Sequence, residues 1–203
     1  MIDAYALYRR LEHVPMGKRV FGLAFSAAAP YFRSVRPRVV EVGPNRAVVV
    51  VPKRRRVQNH IGTVHAIAAC NGLEAAMGLL AEASIAATHR WIPRGMEVRY
   101  LAKSTTDLTC TAVTDPAAWR PAADGAASEV AVRVTATRDD GVVTVEGTIH
   151  LHVSPRRLRA QAVGRARATG AWWGSQAESS LRRSRSVSAC VQPCCASHPS
   201  APS

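Results

Sequence analysis

The chain has 203 residues, an ordinary apolar content of 47% and a formal net charge of +13 at pH 7. That length fits one domain with appendages. Five cysteines, an odd number without repeated spacing, argue against a disulfide framework, and no apolar run reaches the roughly eighteen residues of a membrane span. A basic balance of this size admits nucleic acid, anionic lipid or a polyanionic small molecule as partner.

In chain order, residues 3–13 place Tyr5, Tyr8 and Leu11 at helical spacing, with Asp3 as a cap. A second short helix is expected over about Lys18–Ala28, stopped by Pro30. Lys18-Arg19 before an apolar stretch faintly resembles a signal peptide but begins too late. A cytoplasmic protein is therefore expected. Residues 1–34 read as a helical segment outside the core, as padding rather than as the roof of a pocket.

Strands are expected over about Arg38–Val42 and Ala47–Pro52, joined by a turn at Gly43-Pro44-Asn45. The run Lys53-Arg54-Arg55-Arg56 follows. A charge run is usually a solvated strand end. The functional alternatives are an anchor for phosphates and a nucleic-acid contact.

Residues 58–83 organise the chain. A polar turn, Gln58–Gly62, leads into about twenty residues without proline, read as a helix from about Val64 to Ala83 with Thr63 as N-cap. Alanines and glycines cover most of its circumference, which predicts burial and close approach of neighbours. Gly72 and Gly78 each cost roughly 1 kcal/mol against alanine, so packing must offset them. Glu74 lies mid-helix among alanines; an acid there is paired, shifted in pKa, or working.

Thr88–Gly95 reads as a connection, with Trp91 packed on the domain edge. Four alternating segments follow, around Met96–Tyr100, Leu108–Ala112, Val130–Val134 and Val143–Val153. Period two with one polar face predicts an antiparallel sheet covered on one side. Ala117–Ala127 is a loop, and Asp139-Asp140-Gly141 a hairpin turn. The fold class is α+β: two strands, one buried helix, four strands. Cys70 and Cys110 read as small buried hydrophobes. His150 and His152 share the polar face of the last strand without a third ligand, so no metal is expected. After Pro155 come eight Arg, no Lys and one acid, Glu178, and periodicity is lost. Residues 155–203 are expected to be a disordered extension; its Ser/Arg tract suits weak RNA or membrane contact.

The turn Asn-x-x-Gly-Thr-x-His, with an acid fifteen residues after the Asn, resembles the hotdog-fold acyl-CoA thioesterases, most of all the phenylacetyl-CoA (PaaI-like) type and its poorly characterised relatives. The residues that carry the resemblance are Asn59, Gly62, Thr63, His65 and Glu74, and the order of elements matches over residues 35–154. The resemblance implies an antiparallel sheet wrapped around one central helix, and a homodimer or dimer of dimers with its site between subunits. It implies an acyl-CoA substrate and no cofactor. Glu74 takes the place of general base or nucleophile, Asn59 holds substrate or water, and His65 lines the site. The backbone N–H of Ala66 polarises the thioester carbonyl, Gly62 and Thr63 shape the substrate turn, and Arg54, Arg55 and Arg56 suit the phosphates of coenzyme A. Two departures stand out. Ala66-Ile67 replaces the glycine pair that often follows the His, and Trp91-Ile92-Pro93 stands where relatives carry Ser or Thr, leaving the partner of an attacking water unassigned. The rivals are a hotdog hydratase or dehydratase acting on an enoyl or hydroxyacyl thioester, and a hotdog that binds acyl-CoA without turnover. Nucleic acid is expected only through the tail.

His65 and Glu74 are nine residues apart. They lie on opposite faces of one helix, roughly 13 Å apart along its axis. A catalytic use of both demands a second copy of the helix.

Overall fold

The structure, a computed structural model, describes residues 4–120 and 127–156. The cap read at Asp3 and the extension from residue 157 onward lie outside the described residues. Among the described residues four α-helices, α1 (Ala4–Leu11), α2 (Gly17–Ala28), α3 (Phe32–Val35) and α4 (Ala66–Ser84), accompany six strands. The strands are β1 (Arg38–Gly43), β2 (Arg46–Val51), β3 (His89–Tyr100), β4 (Leu108–Val113), β5 (Ser128–Arg138) and β6 (Val143–Pro155). They form one sheet in the order β1-β2-β4-β5-β6-β3, antiparallel at every pairing. The expected α+β order is present, and the edges of the sheet are β1 and β3.

α4 packs on the sheet, chiefly on β2 and β4. Twelve of its nineteen residues are buried, although by length and composition it is apolar enough to cross a membrane. Leu73, Met77 and Leu80 meet the inward residues of the strands, among them Val49, Val51, Leu108 and Ile149, in one core. Each such side chain contributes about 1.5–3 kcal/mol by leaving water. The helix glycines are explained by what approaches them. A Cβ on Gly72 would lie 2.4 Å from Val51 Cγ2 and 2.8 Å from Cys110 Sγ, whereas one on Gly78 would meet only the Trp91 ring, at 3.3 Å. Gly72→Ala is therefore expected to lose a net of about 1–2 kcal/mol, the overpacking exceeding the gain in helix propensity. Gly78→Ala should stay within about 1 kcal/mol of the parent, since the ring edge has room to give. Thermal melts of the two variants side by side check the contrast.

Three sequence readings are corrected. α1 and α2 are not padding: Tyr8 and Phe21 are buried in the core, their rings edge to face at 5.3 Å. Residues 88–95 are not simply a connection, because β3 begins at His89. Pro93 is tolerated because β3 is an edge strand, and the register shifts at Pro93/Gly95. Cys70 is only half-buried, while Cys110 is fully buried and its thiol is pushed up to about 12 by that burial.

Candidate active site

The chain enters α4 through a turn that is closed by its own hydrogen bonds. Asn59 Oδ1 accepts from the N–H groups of Ile61 and Thr63, each at 3.1 Å, and Asn59 Nδ2 donates to Thr63 Oγ1 at 2.9 Å. Gly62 adopts φ 75°, the left-handed conformation that glycine takes without strain. The end of the turn is pinned on two sides: Val64 N–H donates to Ser104 O at 2.9 Å, and His65 N–H to Val57 O at 2.8 Å. Thr63 is thus occupied within the turn and does not cap the helix. The cap is His65, with extended backbone (φ −62°, ψ 140°), whose Nδ1 accepts from Ile67 N–H at 3.1 Å. α4 accordingly starts at Ala66, two residues later than expected.

Capping leaves a defined donor pair. Ile67 N–H goes to the His65 ring and Ala69 N–H to His65 O. The N–H groups of Ala66 and Ala68 have no acceptor among the described residues. They sit at the positive end of a nineteen-residue helix.

Glu74 lies about two turns further along. It is half-buried and has neither hydrogen bond nor ion pair among the described residues. The neighbours one turn away on its row show what it faces. Cys70 Sγ lies 3.3 Å from Tyr100 Oη, Gly78 abuts the Trp91 ring, and Glu82 accepts from Trp91 Nε1 at 2.9 Å. The row Cys70–Glu74–Gly78–Glu82 thus reaches side chains of β3 on either side of Glu74, which itself has no partner there among the described residues. The hydrogen bond with Cys70, aided by partial burial, pushes the Tyr100 phenol up to about 12, so at neutral pH it keeps its proton. The expected placing of Trp91 on the domain edge agrees with its half-buried site there.

The basic run divides. Arg54 donates to Val35 O, and burial together with Arg36 and Arg56 lowers its pKa from the ordinary value. Arg55 and Arg56 are exposed in a short 3-10 turn, Arg55–Val57. Between that turn, α3 and α4 lies a cleft of about 240 Å³ lined by Tyr31, Arg56, Gln58, His65, Ala68 and Asn71 among others. The structure thus brings His65 and Arg56 to one cleft, and leaves Glu74 on the neighbouring face of α4.

Sequence reasoning passed over Asn71, Tyr100 and Tyr31. Asn71 is 4% exposed, and neither its Oδ1 nor its Nδ2 has a hydrogen-bond partner. A buried orphan amide costs about 1–3 kcal/mol. Its signal in the sequence is an amide on a largely apolar helix, three residues before the mid-helix acid Glu74. Asn71→Leu, close in volume, is expected to raise stability by about 1–3 kcal/mol in a chemical melt; a loss would mean that the amide is satisfied in the folded protein.

Residues 17–153 match the domain of unknown function DUF4442. No curated protein matches the sequence. Among solved structures, a structural-genomics protein (APC5556) is 41% identical, with 76% of this chain and 99% of that one covered and a TM-score of 0.63. A probable thioesterase of Pseudomonas aeruginosa is 20% identical over 64% of this chain and 91% of its own, with a TM-score of 0.60. A thioesterase of Haemophilus influenzae is 9% identical over 64% and 86%, with a TM-score of 0.55. The fold these chains share is the hotdog, as the sequence implied.

Proposed function

This chain belongs to the DUF4442 family, a domain of unknown function, and from that premise we propose that it hydrolyses an acyl-CoA thioester at a site shared by two subunits. The observation that carries the reading is the pairing of two unsatisfied groups on one helix. Glu74 has no counter-ion, and the N–H of Ala66 has no acceptor among the described residues. They lie about 12 Å apart along α4, too far to act on one carbon. A second copy, antiparallel to the first, brings the Ala66 N–H of one subunit to the Glu74 of the other.

The edge strand β3 supports that pairing. It is twelve residues long and largely exposed, and its Trp91 and Tyr100 meet Glu82 and Cys70 of the helix that carries Glu74. Such an edge is a template for another strand. Ile61, Ile67, Tyr100 and Leu101, each about half exposed, add apolar surface around the helix entrance and the end of β3.

In this reading the thioester carbonyl oxygen accepts from Ala66 N–H, and the helix dipole stabilises the charge that develops on it. Glu74 of the other subunit takes a proton from water as it attacks, or attacks the carbonyl itself. The C–S bond breaks and coenzyme A leaves as the thiol. Asn59 fixes the turn and retains one amide hydrogen for substrate. Gly62 and Thr63 hold the shape of that turn, and His65 caps the helix and lines the cleft. The exposed Arg55 and Arg56, with Arg54 behind them, receive the phosphates. The free Cys70 and Cys110 accord with a reducing, cytoplasmic setting.

The test is release of free coenzyme A from acetyl, phenylacetyl and palmitoyl thioesters, followed by chromatography. Release above the uncatalysed rate from at least one of them is expected. Binding without release would favour the non-catalytic reading. Conversion of an enoyl or hydroxyacyl thioester with the thioester intact would favour the hydratase.

A further inference from the structure

α2 is apolar on both of its faces. The inner face, with Phe21 and Gly22, is buried against β1 and α1. The outer face carries Val20, 52% exposed, and Leu23, 74% exposed, beside the exposed Ala24 and Ala27. Met16 before the helix and Tyr31 after it are 60% and 67% exposed. An ordinary surface helix is polar on the side away from the core, so this face is unexplained by folding.

The surroundings of the face are strongly basic. Residues 4–38 hold seven Lys or Arg and one acid, Glu12, which already faces Arg9 at 3.3 Å. A groove of about 800 Å³ runs along the helix, with Leu23 and Ala27 on its apolar side and Arg19, Arg33 and Arg36 on its basic side. None of those three arginines has an acid partner among the described residues.

We propose that the outer face of α2 with its basic rim docks this protein on an anionic phospholipid surface. The apolar side chains enter the boundary of headgroups and acyl chains while the arginines meet lipid phosphates and carboxylates, the arrangement of an interfacial helix. Other occupants fit less well. α2 packs on β1, the edge of the sheet opposite β3, so a dimer paired through β3 leaves this face uncovered. A second copy of the same basic face repels it. So does the chain's own segment after Arg156, which holds seven arginines and one acid. A nucleic acid would use the arginines but gives no role to Val20 and Leu23.

The experiment is co-sedimentation of the full chain with vesicles of phosphatidylcholine, with and without phosphatidylserine. Binding is expected only with phosphatidylserine and should weaken as salt is raised. The double variant Val20→Glu/Leu23→Glu should lose at least about tenfold in affinity, and Arg19→Glu/Arg33→Glu a similar amount. Melts check that both remain folded; the second pair, wholly on exposed polar positions, decides the matter if the first unfolds. Wild-type indifference to anionic vesicles, or undiminished binding by the variants, would overturn the proposal. So would RNA binding that depends on the arginines but not on Val20 and Leu23, or a change in oligomeric mass in the glutamate variant, which would make the face a protein interface.

Discussion

Glu74→Gln is expected to lower kcat by about 10²–10⁴, the usual worth of a positioned general base. The substitution keeps the size of the side chain and one of its acceptors and removes its ability to take a proton. It should leave the fold alone, because Glu74 makes no hydrogen bond or ion pair among the described residues that the amide would break. KM should change little, since the carboxylate acts on water or on the carbonyl carbon rather than on the coenzyme. An unchanged kcat would remove Glu74 from the chemistry. A large fall in kcat together with a lower melting temperature would instead mark Glu74 as a structural acid. If the carboxylate attacks the carbonyl itself, a mixed anhydride forms, and water that opens it at the Glu74 carbonyl carbon during single-turnover hydrolysis in labelled water leaves label in the protein; if Glu74 acts as base, no label enters the protein.

Ala66→Pro is expected to cost about 10²–10³ in kcat while the protein still folds. Proline at the first position of a helix removes an N–H that has no intrahelical partner in any case. Here that N–H has no acceptor among the described residues, so no bond within them is lost. The residue before proline must be extended, and His65, at φ −62° and ψ 140°, already is. The variant thus separates the backbone donor from the helix that presents it. Far-ultraviolet circular dichroism and a melt close to those of the parent, with activity lost, are the expected results. Full activity in a folded Ala66→Pro protein would mean that the carbonyl is polarised elsewhere.

Much of this was legible in the sequence, for a physical reason. A helix of small residues with an acid at its middle, and strands with strict alternation, announce their environments through side-chain period. α4, β4, β5 and β6 follow from that alone. Period carries less at the edge of a sheet. β3 contains Pro93 and Gly95, which speak against a strand, yet an edge strand needs hydrogen bonds on one side only, and β3 runs through them with a shift in register. The helix start was misplaced because threonine is a common cap and histidine is not. What decides the matter is that Thr63 is already held by Asn59, a contact within the turn that composition does not reveal. The N-terminal helices were undervalued because their aromatic residues become core only when β1 and α4 are beside them. Asn71 escaped notice for a similar reason. Whether an amide on a helix is satisfied depends on what covers it, and its cover comes from α3 and the turn at Arg55–Val57, distant in sequence. Arg54 shows the same limit. In sequence it is one of four like charges, and in the fold it is turned back onto the carbonyl of Val35.

The central claim is that one catalytic site takes Glu74 from one subunit and the Ala66 N–H from another. Mixing tests it most directly. Glu74→Gln and Ala66→Pro chains, each nearly inactive alone, are unfolded together, refolded as a mixture and assayed for release of coenzyme A. Random pairing makes half of the dimers mixed, and each mixed dimer holds one site with both groups intact, so about one quarter of wild-type activity should return. A mixture no more active than its two parents, with mixed dimers verified by mass, would contradict the shared site.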